Sequence, residues 1–229
     1  MWLADEVARQ LRRLVRYRAG LVEQKKNIKL RIGALLREER IENSSGCKPW
    51  MEWIKTATLG EQSRWVLDQE LRRLAQAEQD LKDVENRMEE ATAGDPVVTK
   101  LKEQPGVGTV TATVMRAVIG RFDRFRSGKQ LSKYCGVTPC NSSSGKRQAD
   151  AGLIESGNDI LRPMLIQLAK RLPRHEPRWK EFRDSLKKTK GANVVSAAIA
   201  NRWLRRLYHE LAPKRHAEEG LPETKQQAG

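Results

Sequence analysis

The chain has 229 residues, of which 38% are hydrophobic and 32% charged, a length and composition that allow a real core inside helices with wide solvated faces. Lys and Arg number 44 against 29 for Asp and Glu, which gives a formal net charge of +15. Residues 1–93 hold 18 basic and 16 acidic side chains, whereas residues 94–229 hold 26 and 13. The second part therefore carries nearly all of the positive field, which is typical of a nucleic-acid binder. A solvated basic surface without a partner is the alternative.

Cysteine usage and hydropathy argue against three other classes of protein. Cys47, Cys135 and Cys140 form no CxxC pair and only three His are present, which argues against a zinc site. Reduced thiols are favoured over a bond between Cys135 and Cys140. No apolar run reaches the roughly 18–20 residues that span a bilayer, and the acidic residues at positions 5 and 6 do not fit a signal peptide. These features predict a cytoplasmic protein without a membrane partner.

The first predicted element is a long amphipathic helix of coiled-coil type that ends near a loop at residues 43–46. The apolar stripe of this helix, its seam, is expected to face a partner helix. Arg18 and Lys25 occupy two positions of the seam where an apolar residue is typical. A second such helix runs over residues 61–93, and Gly94-Asp95-Pro96 ends it. The predicted seam of the first helix contains Val7, Leu11, Leu14, Leu21, Ile28, Ile32 and Leu35. That of the second contains Leu67, Leu74, Leu81 and Met88, with Glu70, Ala77, Val84 and Ala91 as companions.

Two long helices with a shorter connection predict an antiparallel helical hairpin over residues 1–96. A hairpin this narrow leaves apolar surface uncovered, so self-association into a homo-oligomer is expected. Between the helices, Trp50, Trp53, Ile54 and Trp65 form an apolar patch. For its tryptophans, core packing is favoured over stacking on nucleic-acid bases.

A compact helical domain is predicted over residues 97–212. It opens with Gln104-Pro105-Gly106-Val107-Gly108, a turn like that of helix-hairpin-helix DNA binders. Gly106 and Gly108 have no Cβ and can admit a phosphate, although many helix pairs turn this way without touching DNA. Helices are expected around residues 127–135, 159–172 and 192–211. Residues 136–157 are expected to form a Ser/Gly-rich loop, and short strands within it are an open alternative. The polar tail at residues 213–229 is predicted to be disordered. The fold class is thus mainly α.

The serine-rich segment Ser142-Ser143-Ser144-Gly145-Lys146-Arg147 has two interpretations. It can be a flexible linker. It can also carry a nucleophilic hydroxyl on a mobile loop, with Lys146 and Arg147 drawing a scissile phosphate towards it. A glycine after the serine lets a DNA backbone approach closely.

Several motifs recur in a specific order through this domain. After the Gln104–Gly108 turn come Phe125–Leu131, Tyr134–Pro139 and Ser144-Gly145-Lys146, then the motifs Ser156-Gly157-Asn158 and Leu161-Arg162 and a closing helix over residues 198–207. Over residues 97–211 this series resembles the C-terminal transposase domain of the IS-one-ten insertion-sequence family, related to the Piv and MooV DNA invertases. The order and spacing of the motifs carry the resemblance.

The resemblance implies a mobile-element recombinase in which a serine attacks DNA and becomes covalently attached to it. The family's serine precedes a glycine, which maps onto Ser144, with Ser143 next and Ser142 third. Family members also have an amino-terminal RuvC-like domain, whose DEDD carboxylates bind divalent metal such as Mg²⁺, and they use a structured guide RNA and work as multimers. The implied partners are DNA, a guide RNA and further copies of the chain.

The chain departs from the family pattern before residue 97, where no predicted strands carry spaced Asp and Glu. No metal site and no cofactor are therefore expected in this chain, which is interpreted as an incomplete transposase, with Mg²⁺ entering only with a RuvC-like domain. A non-catalytic nucleic-acid-binding or regulatory oligomerisation module is the alternative function. His175 and His209 are interpreted as surface residues. The candidate nucleic-acid contacts are Gly106, Gly108, Lys129, Lys146, Arg147, Arg162, Lys187, Lys188, Lys190, Arg202 and Arg206.

Overall fold

The computed structural model describes residues 5–41, 50–144, 147–154 and 157–212, without the side chains of Trp50 and residues 141–151. Over these residues the fold is mainly α, as the sequence predicts, with one two-stranded sheet. The chain forms two compact units. The first contains the residues up to Lys102 together with Gly108–Val118, and the second contains Glu103–Val107 and the residues from Ile119 onward. This division by packing differs from the sequence-based boundary at residues 96/97.

Two long helices, α1 (Glu6–Glu38) and α3 (Glu61–Ala91), dominate the first unit, with the short α2 (Trp50–Thr56) between them. Ion pairs join Arg18 to Glu85 at 2.6 Å and Lys25 to Glu78 at 2.8 Å. As the residue number rises along α1 it falls along α3, so the helices are antiparallel. The two charges that interrupt the predicted seam therefore meet carboxylates on the facing helix.

The apolar stripe of α1 differs in part from the predicted seam. Val7 is 48% exposed, whereas Ala8, Val15 and Leu36 are buried. A straight helix has 3.6 residues per turn, so its apolar stripe drifts by about 20° per heptad away from a strict seven-residue repeat. On α3 the predicted positions fit better, since Leu67, Glu70, Leu74, Ala77, Val84 and Met88 are all buried.

The apolar patch between the helices divides into a packed part and an exposed part. Ile54 is fully buried and Trp53 packs against the same core. Trp65 is 62% exposed, so the predicted core role is wrong for this residue. It belongs to α3 but lies beside the stripe through Leu67 that faces the core, which the clustering of tryptophans in the sequence could not reveal.

The carboxylate of Glu70 on α3 is buried and links α3 to α1. Its side chain is only 9% exposed. Arg31 of α1 donates to it at 2.9 Å and Arg73 of α3 at 2.6 Å. Burial acts to raise the pKa of Glu70, but the hydrogen bonds and charges of the two arginines outweigh it and hold the pKa below 4.5. The ionised carboxylate therefore stabilises the folded hairpin.

We expect Glu70→Gln to lower the free energy of unfolding by about 1–3 kcal/mol, because a charge-assisted hydrogen-bond network loses its anion. The contribution of Glu70 is fully present above its unfolded-state pKa and is lost as the pH falls through the lower folded-state value. Denaturant titrations at pH 7 and at pH 3 measure both effects. The control is Glu23→Gln, whose exposed pair with Lys26 is worth about 0–1 kcal/mol. Equal losses at the two positions would contradict this role.

The first unit ends with α4 (Pro96–Lys102) and α5 (Thr109–Ile119). Asp95 caps α4 by accepting from the amides of Val97 at 2.8 Å and Val98 at 3.2 Å. The same carboxylate accepts from Arg116 of α5 at 2.8 Å. A single aspartate therefore fixes both the start of α4 and its position against α5.

In its described residues the second unit contains a 3-10 turn, a β-hairpin and four helices, the last of which is long and lies at its centre. Its helices are α6 (Gly128–Tyr134), α7 (Leu161–His175), α8 (Pro177–Lys187) and α9 (Ala192–Leu211). Helices α6, α7 and α8 all pack against α9, whose Trp203, Leu204 and Leu207 are buried. Among the helices of the described ranges, none is both long and apolar enough to cross a bilayer.

The expected Ser/Gly-rich loop is a β-hairpin, which corresponds to the short strands left open by the sequence. Strand β1 (Pro139–Ser144) pairs antiparallel with β2 (Arg147–Leu153), from Pro139 opposite Leu153 to Ser144 opposite Arg147. The register is irregular between Pro139 and Asn141. Serine, glycine and asparagine have weak strand propensity, so the pairing leaves little trace in the sequence.

Candidate nucleic-acid interface

The root of the β-hairpin is held by one side chain of α9. Asn201 donates through Nδ2 to the carbonyl of Val137 at 3.1 Å and to Thr138 Oγ1 at 3.4 Å. The amide of Ile154 donates to the carbonyl of Thr138 at 3.1 Å and closes the root from the other strand. The hairpin that carries the serines is therefore attached to the central helix of the unit.

A slot between two glycines holds Arg162 beside this root. Gly136 has a φ of +73°, and a Cβ placed there would lie 2.7 Å from Arg162 Nε. A Cβ on Gly157 would lie 2.4 Å from Arg162 Nη2 and 2.8 Å from Gly136 Cα. Only glycine at both positions leaves room for the guanidinium. Asn158 starts the helix below it by accepting from the amide of Leu161 at 2.9 Å.

These elements enclose a cavity of about 1030 Å³, here named the arginine cavity. Its walls come from the hairpin root, the start of α7, one side chain of α8 and one face of α9. The lining residues are Val137, Pro139, Gly152, Leu153, Arg162, Phe182, Asn193, Val194, Ala197, Ala198, Asn201, Arg202, Arg205, Arg206 and His209. The described lining thus includes four arginines and no carboxylate.

Neighbouring side chains orient the guanidinium groups of Arg206 and Arg202. Arg206 donates through Nε to Glu210 at 2.7 Å, and Arg202 lies over the ring of Phe182 at 4.8 Å from its centroid. Arg202, Arg205 and Arg206 are all exposed. Exposed guanidinium groups around a concave surface suit phosphate oxygens, which accept paired hydrogen bonds from the planar donor fork.

Helix α6 sets the position of α9 through a glycine contact. A Cβ on Gly128 would lie 2.8 Å from Arg205 Cα and 2.9 Å from the Arg205 carbonyl oxygen. Both of these are backbone atoms, so no rotamer change can relieve the clash. Gly128 therefore permits the close approach that fixes the arginine-bearing stretch of α9.

We expect Gly128→Ala to lower the free energy of unfolding by about 1–3 kcal/mol, the usual cost of overpacking. Denaturant unfolding measures the loss. The control is Gly20→Ala in α1, where nothing lies within 4 Å of the added Cβ. That substitution is expected to stabilise the helix by about 0.5–1 kcal/mol. A stability unchanged by Gly128→Ala would rule out this contact.

The structure brings three of the predicted nucleic-acid contacts together, because Arg162, Arg202 and Arg206 all line the arginine cavity. Lys129 lies exposed on α6, outside this lining. The basic run Lys187, Lys188 and Lys190 is exposed at and beyond the end of α8 and also lies outside it.

The two glycines of the predicted phosphate-binding turn have different surroundings. Gly106 has a φ of +78°, and a Cβ there would lie 3.2 Å from Leu168 and 3.6 Å from His175. This glycine therefore packs against α7, which gives it a structural role in the second unit. A Cβ on Gly108 would meet nothing within 4 Å, so its surroundings are open.

The candidate nucleophiles lie at the far end of β1. Ser144 pairs with Arg147 and Ser143 with Gln148, while Lys146 lies outside the described residues. Ser144 lies five residue steps beyond Pro139, which lines the cavity, and five steps span about 17 Å along an extended strand. The arginine cavity is thus at the root of the hairpin and the serines are at its tip.

Sequence reasoning missed Phe182 and Asn201 of the cavity lining, and it treated Arg205 only as a solvent- or nucleic-acid-facing arginine of the last helix and His209 only as a surface residue. His209 is exposed at the cavity and packs edge-on against Tyr208 at 5.4 Å. A signal was present on α9, because Asn201, Arg205 and His209 recur every four residues on the face opposite the buried Trp203 and Leu207.

Cys135 is a poor nucleophile because its thiol is buried. Burial raises the pKa of Cys135 to about 12, against an opposing effect of Arg124, so this thiol stays protonated. Cys135 and Cys140 are both free thiols. Within the described ranges no group of three or more His, Cys, Asp or Glu side chains is placed to hold a metal ion.

Residues 98–184, from α4 to most of α8, match the model of the transposase IS116/IS110/IS902 family. This part of the chain is therefore similar to the transposases of that family. The family resemblance expected from the sequence motifs is thereby confirmed.

Three relatives of this transposase segment are themselves described as transposases. The transposase for insertion sequence element IS1111A of Coxiella burnetii is 26% identical over 83% of this chain and 53% of its own length. A probable family 20 transposase of Pseudomonas aeruginosa is 28% identical over 66% of this chain and 45% of its own. The transposase for insertion sequence element IS1328 of Yersinia enterocolitica is 26% identical over 55% of this chain and 39% of its own length. The chain therefore spans about half the length of the relatives that it matches.

Proposed function

We propose that this chain binds DNA and supplies the serine nucleophile for strand exchange in a transposase. The observation that carries the proposal is the arginine cavity at the root of a serine-bearing hairpin, in a segment of a transposase family. Four guanidinium groups and no lining carboxylate favour a polyanion over other ligands.

The reaction is a transesterification at phosphorus. The Ser144 oxygen forms a bond to the phosphorus atom, and the bond from phosphorus to one deoxyribose oxygen breaks. The serine proton passes to a base, and the departing oxygen takes up a proton to become a hydroxyl. One phosphodiester is replaced by another, so the bond energy is retained for rejoining to a second DNA end.

The hairpin register supports Ser144 over its neighbours. Residues that pair in an antiparallel ribbon share a face, and successive residues alternate between faces. In the backbone register Ser144 pairs with the cationic residue Arg147, whereas Ser143 pairs with Gln148. A nucleophile benefits from a cation that neutralises charge developing on the phosphate.

Trapping of a covalent adduct tests the proposal. The chain is incubated with labelled DNA from the ends of its encoding element and Mg²⁺, alone and with the amino-terminal half of the Coxiella relative added. We expect a labelled protein that survives denaturing electrophoresis, with the phosphate mapped to Ser144 by mass spectrometry. DNA binding without any adduct in both reactions would refute the nucleophile and leave the non-catalytic binding module.

The proposal extends to two further partners. We assign a structured RNA to Lys187, Lys188 and Lys190, a second basic surface outside the arginine cavity. A second copy of the chain is assigned to the helical hairpin of the first unit. On its helix α1, Tyr17, Val22 and Leu30 are 43–58% exposed. Filter binding with the element's transcript tests the first assignment, and light scattering of the purified chain tests the second.

A further inference from the structure

A second, smaller cavity of about 390 Å³ lies beside the arginine cavity. It is lined by Arg178, Trp179, Glu181, Phe182, Arg202 and Arg206. Phe182, Arg202 and Arg206 line both cavities and so form a shared wall. A ligand held by its phosphate in the larger cavity can therefore reach the smaller one with the group attached to that phosphate.

Two aromatic rings line the smaller cavity, and a guanidinium group lies over each of them. Trp179 and Phe182 meet edge to face with ring centroids 6.5 Å apart. The guanidinium of Arg178 lies 5.1 Å from the Trp179 ring, and that of Arg202 lies 4.8 Å from the Phe182 ring. Aromatic rings and guanidinium planes are the surfaces on which unpaired bases stack.

Its polar groups suit the edge of a base better than a second phosphate. Glu181 is exposed at the cavity and offers a carboxylate that repels a phosphate but accepts from the N–H groups of a base. Trp179 is only 4% exposed, and its indole N–H has no hydrogen-bond partner among the described residues. A buried donor without a partner is uncommon in native proteins and is satisfied by an acceptor such as a base oxygen or ring nitrogen. Arg178, which lies over the indole ring, has a 42% exposed side chain and pairs with Glu176, so it has to shift for an acceptor to reach this N–H.

We infer that the smaller cavity receives one unpaired base of the DNA strand whose phosphate lies in the arginine cavity. The inference rests on the proposed DNA-binding function and adds a substrate class to it, namely DNA with a locally unpaired nucleotide. Enzymes that extrude a base hold it by stacking and by hydrogen bonds to its edge, which are the two kinds of group found here.

Equilibrium binding to two single strands of about twelve nucleotides tests this inference. One strand carries all its bases, and the other has the same phosphates but an abasic residue at each position. Stacking of a single base leads us to expect on the order of tenfold tighter binding of the base-bearing strand. Phe182→Ala should bring this ratio close to one, because the base-bearing strand loses its stacking surface and the abasic strand never uses it. Phe182→Trp, which keeps a stacking surface, should restore the ratio.

The control variant is Trp65→Ala, because Trp65 of the first unit is an exposed aromatic that can itself stack on bases. Circular dichroism verifies that each variant is folded, and Trp179→Phe removes the indole N–H while retaining an aromatic ring. Loss of the ratio in Trp65→Ala but not in Phe182→Ala would overturn the inference. Equal, salt-sensitive affinity for both strands would also overturn it while leaving DNA binding intact. Failure to bind either strand would refute the proposed function as well.

Discussion

Ser144→Ala is expected to abolish the covalent protein–DNA adduct while leaving the affinity for the same DNA unchanged. The hydroxyl oxygen is the atom that bonds to phosphorus, and alanine has no replacement for it. The binding groups are separate, since the arginine cavity lies at the root of the hairpin, about 17 Å along β1 from Ser144. Denaturing electrophoresis of labelled DNA measures the adduct, and fluorescence anisotropy measures the affinity.

The matched control is Ser143→Ala, the preceding residue of the same strand, which pairs with Gln148 and not with Arg147. It removes an identical hydroxyl and preserves Ser144, so the adduct should persist. An adduct lost with Ser143 and retained without Ser144 would transfer the role to Ser143. A parallel loss of DNA affinity in Ser144→Ala would instead make the serine a phosphate clamp, as in the non-catalytic alternative.

The helical hairpin was largely predictable because its information is local and periodic. Leu67, Leu74 and Met88 lie on one seven-residue repeat and are all buried. The partners of Arg18 and Lys25 were not predictable, since the register between two helices depends on packing across the pair. Trp65 shows the same limit, because the sequence gives its hydrophobicity but not its position beside the core-facing stripe.

The candidate site was predictable in residue type and less so in arrangement. Arg162, Arg202 and Arg206 were singled out as cations on helices, and the fold places them around one cavity. The slot that holds Arg162 is made by Gly136 and Gly157, which are 21 residues apart and meet only in the folded unit. No periodic or local signal marks such a contact. The strands β1 and β2 were missed as a definite element because small polar residues carry almost no strand pattern.

The arginine cavity also makes a quantitative prediction about salt. Each phosphate neutralised by a cation releases counterions, so the slope of log affinity against log salt falls by about 1 for each phosphate contact removed. The double variant Arg162→Gln, Arg205→Gln is therefore expected to reduce the slope by about 2 and to weaken binding at every salt concentration. Anisotropy titrations of duplex DNA between about 50 and 200 mM salt measure it. Arg162 and Arg205 line the arginine cavity but not the smaller cavity, so the lining of the smaller cavity is left intact.

The matched control is the double variant Lys170→Gln, Arg171→Gln, which removes the same charge from the same unit. Both of these residues are exposed on α7, and neither lines the arginine cavity. If binding depended only on net charge, the two double variants would shift the slope equally. If DNA sits in the arginine cavity, only the first changes the slope, because counterion release counts the phosphates that are contacted and not the charge of the whole protein. Equal slopes for the two variants would therefore refute the cavity as the DNA site.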